Sequence, residues 1–85
     1  MQTVEYVIKD PIGIHARPAG ELVSEAKKFK SAMTISKGDK SSDLLKMFGL
    51  LKLGVKQGDT VKIEITGDDE EQAAPAIKAF LEKNL

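Results

Sequence analysis

The sequence has no cysteine and a single histidine, His15. Disulfide frameworks and thiolate metal sites are therefore excluded, and a zinc site would be short of its usual nitrogen and sulfur ligands. There is no surplus of either charge: 13 Lys plus Arg stand against 13 Asp plus Glu, for a formal net charge of +0. That balance disfavours a non-specific binder of nucleic acid or anionic membranes. Long apolar runs are also missing. The longest, Met47 to Leu51 with Gly49 inside it, falls far short of the ~18 residues of a membrane span. After Met1, the residues Gln2, Thr3, Val4 and Glu5 supply neither the basic start nor the apolar segment of a secretory signal, so a cytoplasmic address is expected. With 85 residues, the chain is read as one domain over 1–85, burying roughly 60% of its unfolded surface.

What is present is periodic. Val4, Tyr6 and Ile8 alternate with Thr3, Glu5 and Lys9, which predicts a half-buried strand from Thr3 to Lys9. Asp10, Pro11, Ile12 and Gly13 form a loop. Ala19, Leu22, Val23, Ala26 and Phe29 then recur at spacings of three and four, drawing one apolar stripe on a helix from about Ala16 to Lys28. Pro18 marks its first turn, where a proline removes no intrahelical bond. Strands from Ala32 to Lys37 and Lys40 to Asp43 flank a Gly38-Asp39 turn, the second of them wholly polar and suited to an edge. Leu44 to Leu53 reads as a short helix with Gly54 as its stop. Its apolar residues cover more than one face, so it is either an ordinary core helix or one that leaves Met47, Phe48 or Leu51 for docking. Thr60 to Thr66 alternates cleanly. A last helix opens with Glu70 and Glu71 after Asp69 and carries Ala73, Ala76, Ile77, Phe80 and Leu81 as its apolar stripe. Pro75 lies beyond its first turn, which predicts a kink or a late start. The order βαββαβα implies an α+β fold, a four-stranded, mainly antiparallel sheet with three helices on one face.

Chemistry concentrates in Gly13-Ile14-His15-Ala16-Arg17-Pro18. A neutral imidazole is a competent nucleophile near neutral pH, and a phosphoryl group carried on it needs hydrogen-bond donors and positive potential. A helix start offers both, through the unpaired amides of Ala16, Arg17 and the residues after them and through the helix dipole. Arg17 adds a forked guanidinium suited to phosphate oxygens, while Gly13 leaves space and Pro18 fixes the first turn. The competing reading is a histidine that only caps or packs at the helix start.

The G-I-H-A-R-P-A segment, the hydrophobic segment ending Leu53-Gly54 and the G-D-D-E-E-Q-A approach to the last helix resemble the HPr family. These are the histidine-containing phosphocarriers of the bacterial phosphoenolpyruvate-dependent sugar phosphotransferase system. The resemblance covers essentially the whole chain. It implies an HPr-like open-faced β-sandwich that needs no metal and no cofactor. It makes His15 the phosphoryl acceptor from enzyme I, through Nδ1, and the donor to a sugar-specific enzyme IIA. Arg17 takes the place of the arginine that steadies the phosphohistidine, with Ala16 and Arg17 supplying backbone donors and Pro18 the helix start. Gly20, Ser24, Lys27, Met47, Phe48 and Leu51 fall on its partner-docking surface. A monomeric phosphocarrier, not an enzyme with a small-molecule turnover, is expected. The position of the regulatory serine of many Gram-positive relatives is Lys46 here, so control by HPr kinase is not expected. Ser41 and Ser42 read as polar strand residues. Two further readings are an HPr-like regulatory binding module or nitrogen-branch carrier acting by protein docking, and an RNA-binding domain of the same element order. The latter conflicts with phenylalanines confined to helical segments and with the neutral charge.

Overall fold

A computed structural model describes all 85 residues, Met1–Leu85. The elements run β1 (Gln2–Val7), α1 (Ala16–Ala26), β2 (Ala32–Lys37), β3 (Lys40–Asp43), α2 (Met47–Lys52), β4 (Thr60–Thr66) and α3 (Glu70–Asn84). The strands form one sheet in the order β1-β4-β2-β3, every neighbouring pair antiparallel. The cleanly alternating β4 lies inside it and the polar β3 at its edge.

Register explains the layering. Val4 pairs with Ile63, Ile63 with Ile35, and Met33 with Ile65, so the inward residues of three strands form one continuous apolar surface. The opposite face carries Thr3, Glu5, Thr34, Lys62 and Glu64 and is left open. No aromatic residue stands on that open face, since Tyr6 shares the inward parity of Val4 and packs against the core. The base-stacking platform of an RNA-binding sheet is therefore missing. All three helices lie on the apolar side: α3 against β1 and β4, α1 beside α3, and α2 against α1 and β3. Ala19, Leu22, Val23 and Ala26 of α1, Leu50 of α2, and Ala73, Ala74, Ile77 and Leu81 of α3 complete the core. The fold is an open-faced sandwich.

Four expectations shift. β1 ends at Val7, because the Ile8 carbonyl accepts the Gly58 N–H at 2.8 Å, one residue out of the β1-β4 register, although the Ile8 N–H still bonds the Asp59 carbonyl at 2.9 Å. α1 ends at Ala26, with Lys27 as its C-cap. α2 begins at Met47 instead of Leu44, because Asp43 holds a turn: its side chain accepts from the Leu45 N–H at 2.9 Å and its carbonyl from the Lys46 N–H at 3.1 Å. α3 does not start late. It is helical from Glu70 through Pro75 to Asn84. Pro75 and Glu71 are both exposed, so water can reach the Glu71 carbonyl that Pro75 leaves without a donor. The buried stripe of α3 also turns slightly, taking in Ala74 while Ala76 and Phe80 are half-buried.

Candidate functional site

The loop from Asp10 to Ile14 sets the start of α1. An Asp10 carboxylate oxygen accepts the Ile12 N–H at 2.8 Å, and the Asp10 carbonyl accepts the Gly13 N–H at 2.9 Å. Gly13 adopts φ +81°, a left-handed conformation natural to glycine. The Ile14 N–H then bonds the Val55 carbonyl at 3.1 Å and the Ile14 side chain enters the core. The residue that follows is thereby fixed at the surface.

His15 is the N-cap of α1, extended at φ −128° and ψ 178°, and its side chain caps nothing. The imidazole is half-buried and lines a shallow depression of about 230 Å³ with Asp10, Arg17, Pro18, Glu21 and Asn84. At the start of α1, Pro18 has no N–H and the Ala19 N–H makes the first regular helical bond, to the His15 carbonyl at 2.9 Å. Beyond His15 itself, the free donors are those of Ala16 and Arg17 and do not extend to the residues after them, which corrects the wider set expected from the sequence. Two amides without partners thus stand at the positive end of an 11-residue helix. The side chain of Arg17 is 88% exposed and its Nε stands 3.4 Å from a carboxylate oxygen of Glu21. Arg17 thus borders the same depression as His15 while turned toward the next helical turn.

The remaining sequence-selected residues form an adjacent surface. Gly20, Ser24 and Lys27 recur at helical spacing from Arg17, placing all four on one stripe of α1. α2 meets this stripe where the Met47 methyl lies 3.9 Å from the position a Gly20 Cβ would occupy. Phe48 is 83% exposed and Met47 37% exposed, while Leu51 packs partly on the core and Leu50 is buried. Of the two readings of α2, the structure supports the one in which part of the helix remains uncovered. Lys46 stands exposed at its start, extended and with no side-chain cap bond.

Sequence reasoning did not single out Asp10, Glu21 or Asn84 for the site. The Arg17 to Glu21 spacing was legible as an i,i+4 pair. Asn84 comes from the far end of the chain, and no local pattern announces it. No cluster of three or more His, Cys, Asp or Glu is arranged to hold a metal ion, and no helix is long and apolar enough to cross a membrane.

Comparison with known proteins places this geometry in context. A family model described as the PTS HPr component phosphorylation site matches residues 2–83. The chain is 45% identical over 85 residues to the phosphocarrier protein HPr of Mycoplasma pneumoniae, covering 99% of this chain and 97% of the relative. The crystal structure of an HPr from Thermoanaerobacter tengcongensis superposes with a TM-score of 0.92 at 40% identity, covering 98% of this chain and 93% of the other. Crh, a catabolite repression protein of Bacillus subtilis crystallised as a domain-swapped dimer, gives a TM-score of 0.79 at 32% identity, covering 100% and 95%.

Proposed function

The chain belongs to the HPr family of the phosphotransferase system, whose model spans residues 2–83, and from that premise we propose that His15 is its phosphoryl-carrying residue. A lone pair on the ring, at Nδ1, forms the new P–N bond as the bond between phosphorus and its donor, phosphorylated enzyme I, breaks and the electron pair returns to that donor. Transfer onward to a histidine of enzyme IIA repeats the exchange with His15 as the leaving group. Positioning and electrostatics carry such a transfer, because little else is asked of the protein. The Ala16 and Arg17 amides receive phosphoryl oxygens and the Arg17 guanidinium neutralises charge. The observation that carries this reading is the extended N-cap His15 beside two unengaged amides, in a depression it shares with Arg17.

The surface formed by Gly20, Ser24, Lys27, Met47, Phe48 and Leu51 is read as the docking face for both partners in turn. A shallow site suits a carrier that meets two proteins, since nothing has to open at each encounter. Lys46 replaces a regulatory serine and removes the hydroxyl a kinase would use. The carrier is read as a cytoplasmic monomer. The test is intact mass after incubation with phosphoenolpyruvate and enzyme I from the same cell. One acid-labile phosphate on the wild type and none on His15→Ala is expected, and its absence with an active enzyme I would refute the reading.

The similarity to Crh favours one second reading, a regulatory binding module or nitrogen-branch carrier that acts mainly through docking. Transfer of the phosphoryl group from His15 to a sugar-specific enzyme IIA separates the two, because a docking module does not discharge to it.

A further inference from the structure

Arg17 has a competing partner inside its own site. Its Nε lies 3.4 Å from a carboxylate oxygen of Glu21, one helical turn on, and both residues border the depression that holds His15. The contact is one-pronged and exposed, with the two side chains 88% and 50% accessible. Such a pair is weak and easily exchanged. A phosphoryl group on His15 would bring about two negative charges and three acceptor oxygens, against the single, solvated charge of Glu21. The forked guanidinium matches that group better than it matches one carboxylate oxygen at 3.4 Å. The other acid of the depression, Asp10, is committed to its own loop through the Ile12 N–H.

We propose that Glu21 is a positioning residue that holds Arg17 away from the imidazole until a phosphoryl group arrives, and so limits how strongly the phosphorylated form is favoured. This rests on His15 being the acceptor. On this proposal Arg17 leaves Glu21 to clamp the phosphoryl group, so the lost contact offsets part of what the clamp gains. The offset is useful to a carrier, which must give up its cargo as readily as it takes it: a phosphohistidine held too firmly would load and fail to discharge. Glu21→Gln removes the competing charge while keeping the side chain's size and helix preference.

The experiment lets two carriers share one phosphate pool. Isotope-labelled wild type and unlabelled Glu21→Gln are mixed with phosphoenolpyruvate in limiting amount and a trace of enzyme I, and intact mass reads the phosphate on each at equilibrium. The variant is expected to hold the phosphate in preference by about two- to fivefold, the range of a weak exposed pair. The same exchange is run between Arg17→Ala and the double variant Arg17→Ala with Glu21→Gln, where an even partition is expected because Glu21 acts through Arg17. An equal preference in both backgrounds would mean Glu21 acts only by direct repulsion and would overturn the proposal. So would an even partition in the first exchange. Absence of phosphate from wild type and variants alike, with enzyme I active, refutes the acceptor role of His15 itself and takes this inference with it.

Discussion

Gly13 and Val55 meet backbone to backbone: a Cβ on Gly13 would fall 2.3 Å from the Val55 carbonyl oxygen and 2.7 Å from Lys56 Cα. That carbonyl also receives the Ile14 N–H at 3.1 Å, so the loop before His15 is fastened to the loop before β4. Gly13→Ala would violate both the φ of +81° and the contact. It is expected to cost about 2–4 kcal/mol, summing left-handed strain and overpacking. Gly38→Ala, at φ +60° but with nothing within 4 Å, is expected to cost only about 1–2 kcal/mol. Urea unfolding followed by circular dichroism gives both values, and equal costs would show that the Val55 contact is unimportant.

Phe48 and Leu50 are two residues apart on α2 and should behave as opposites. Phe48 is 83% exposed and Leu50 fully buried. Phe48→Ala is expected to leave stability within about 0.5 kcal/mol and to lower the rate of phosphoryl uptake from enzyme I by raising KM. Leu50→Ala is expected to cost about 2–5 kcal/mol. Stability lost at Phe48, or an unchanged KM there, would remove it from the proposed docking face.

Asp69 ties the loop just before β2 to the start of α3. One of its oxygens accepts the buried Ser31 hydroxyl at 2.5 Å and the other the Lys30 N–H at 2.7 Å. The Ser31 hydroxyl first, and the Lys30 N–H next, hold its carboxyl below the ordinary value of 3.8. As pH falls through 3.8 the unfolded chain takes up a proton before the folded one does, so stability present above that value is lost progressively below it. Asp69→Asn is expected to be less stable near neutrality and to lose less of its stability on acidification. Thermal melts from pH 6 down to roughly pH 2.5, bracketing the carboxylate range, measure this, and parallel curves for the two proteins would exclude Asp69 as a source of the slope.

Pro75 sits at the sixth residue of α3, exposed, in a helix that continues past it. Pro75→Ala restores the N–H that Glu71 lacks and removes the ring's crowding of that carbonyl. A gain of about 1–3 kcal/mol is expected, visible as a Tm higher by several degrees. A lower Tm would mean that the proline's restriction of the unfolded chain outweighs its cost in the helix.

The element order and the placement of His15 at a helix start were legible because they are local. Period-two alternation marks β4, three-and-four spacing marks α1, and Pro18 fixes where α1 begins. Even the Arg17 to Glu21 contact is a matter of helical spacing. The boundaries of α2 were less legible, because the Asp43 turn competes with the helix for Leu44 to Lys46 through a side-chain hydrogen bond. The late start considered for α3 does not occur, because a proline's effect depends on whether the carbonyl it strands can reach water.

Residue order alone marks the inward face of each strand and of α1 and the point where the lone histidine meets a helix start. Packing between distant segments sets the rest: β4 lies between β1 and β2, Gly13 touches Val55, Ser31 finds Asp69, and Asn84 reaches the depression around His15. The division has a physical cause. Side-chain periodicity is fixed by the backbone repeat of each segment, whereas contacts between distant segments are selected by how the apolar faces pack together and how their buried polar groups find partners.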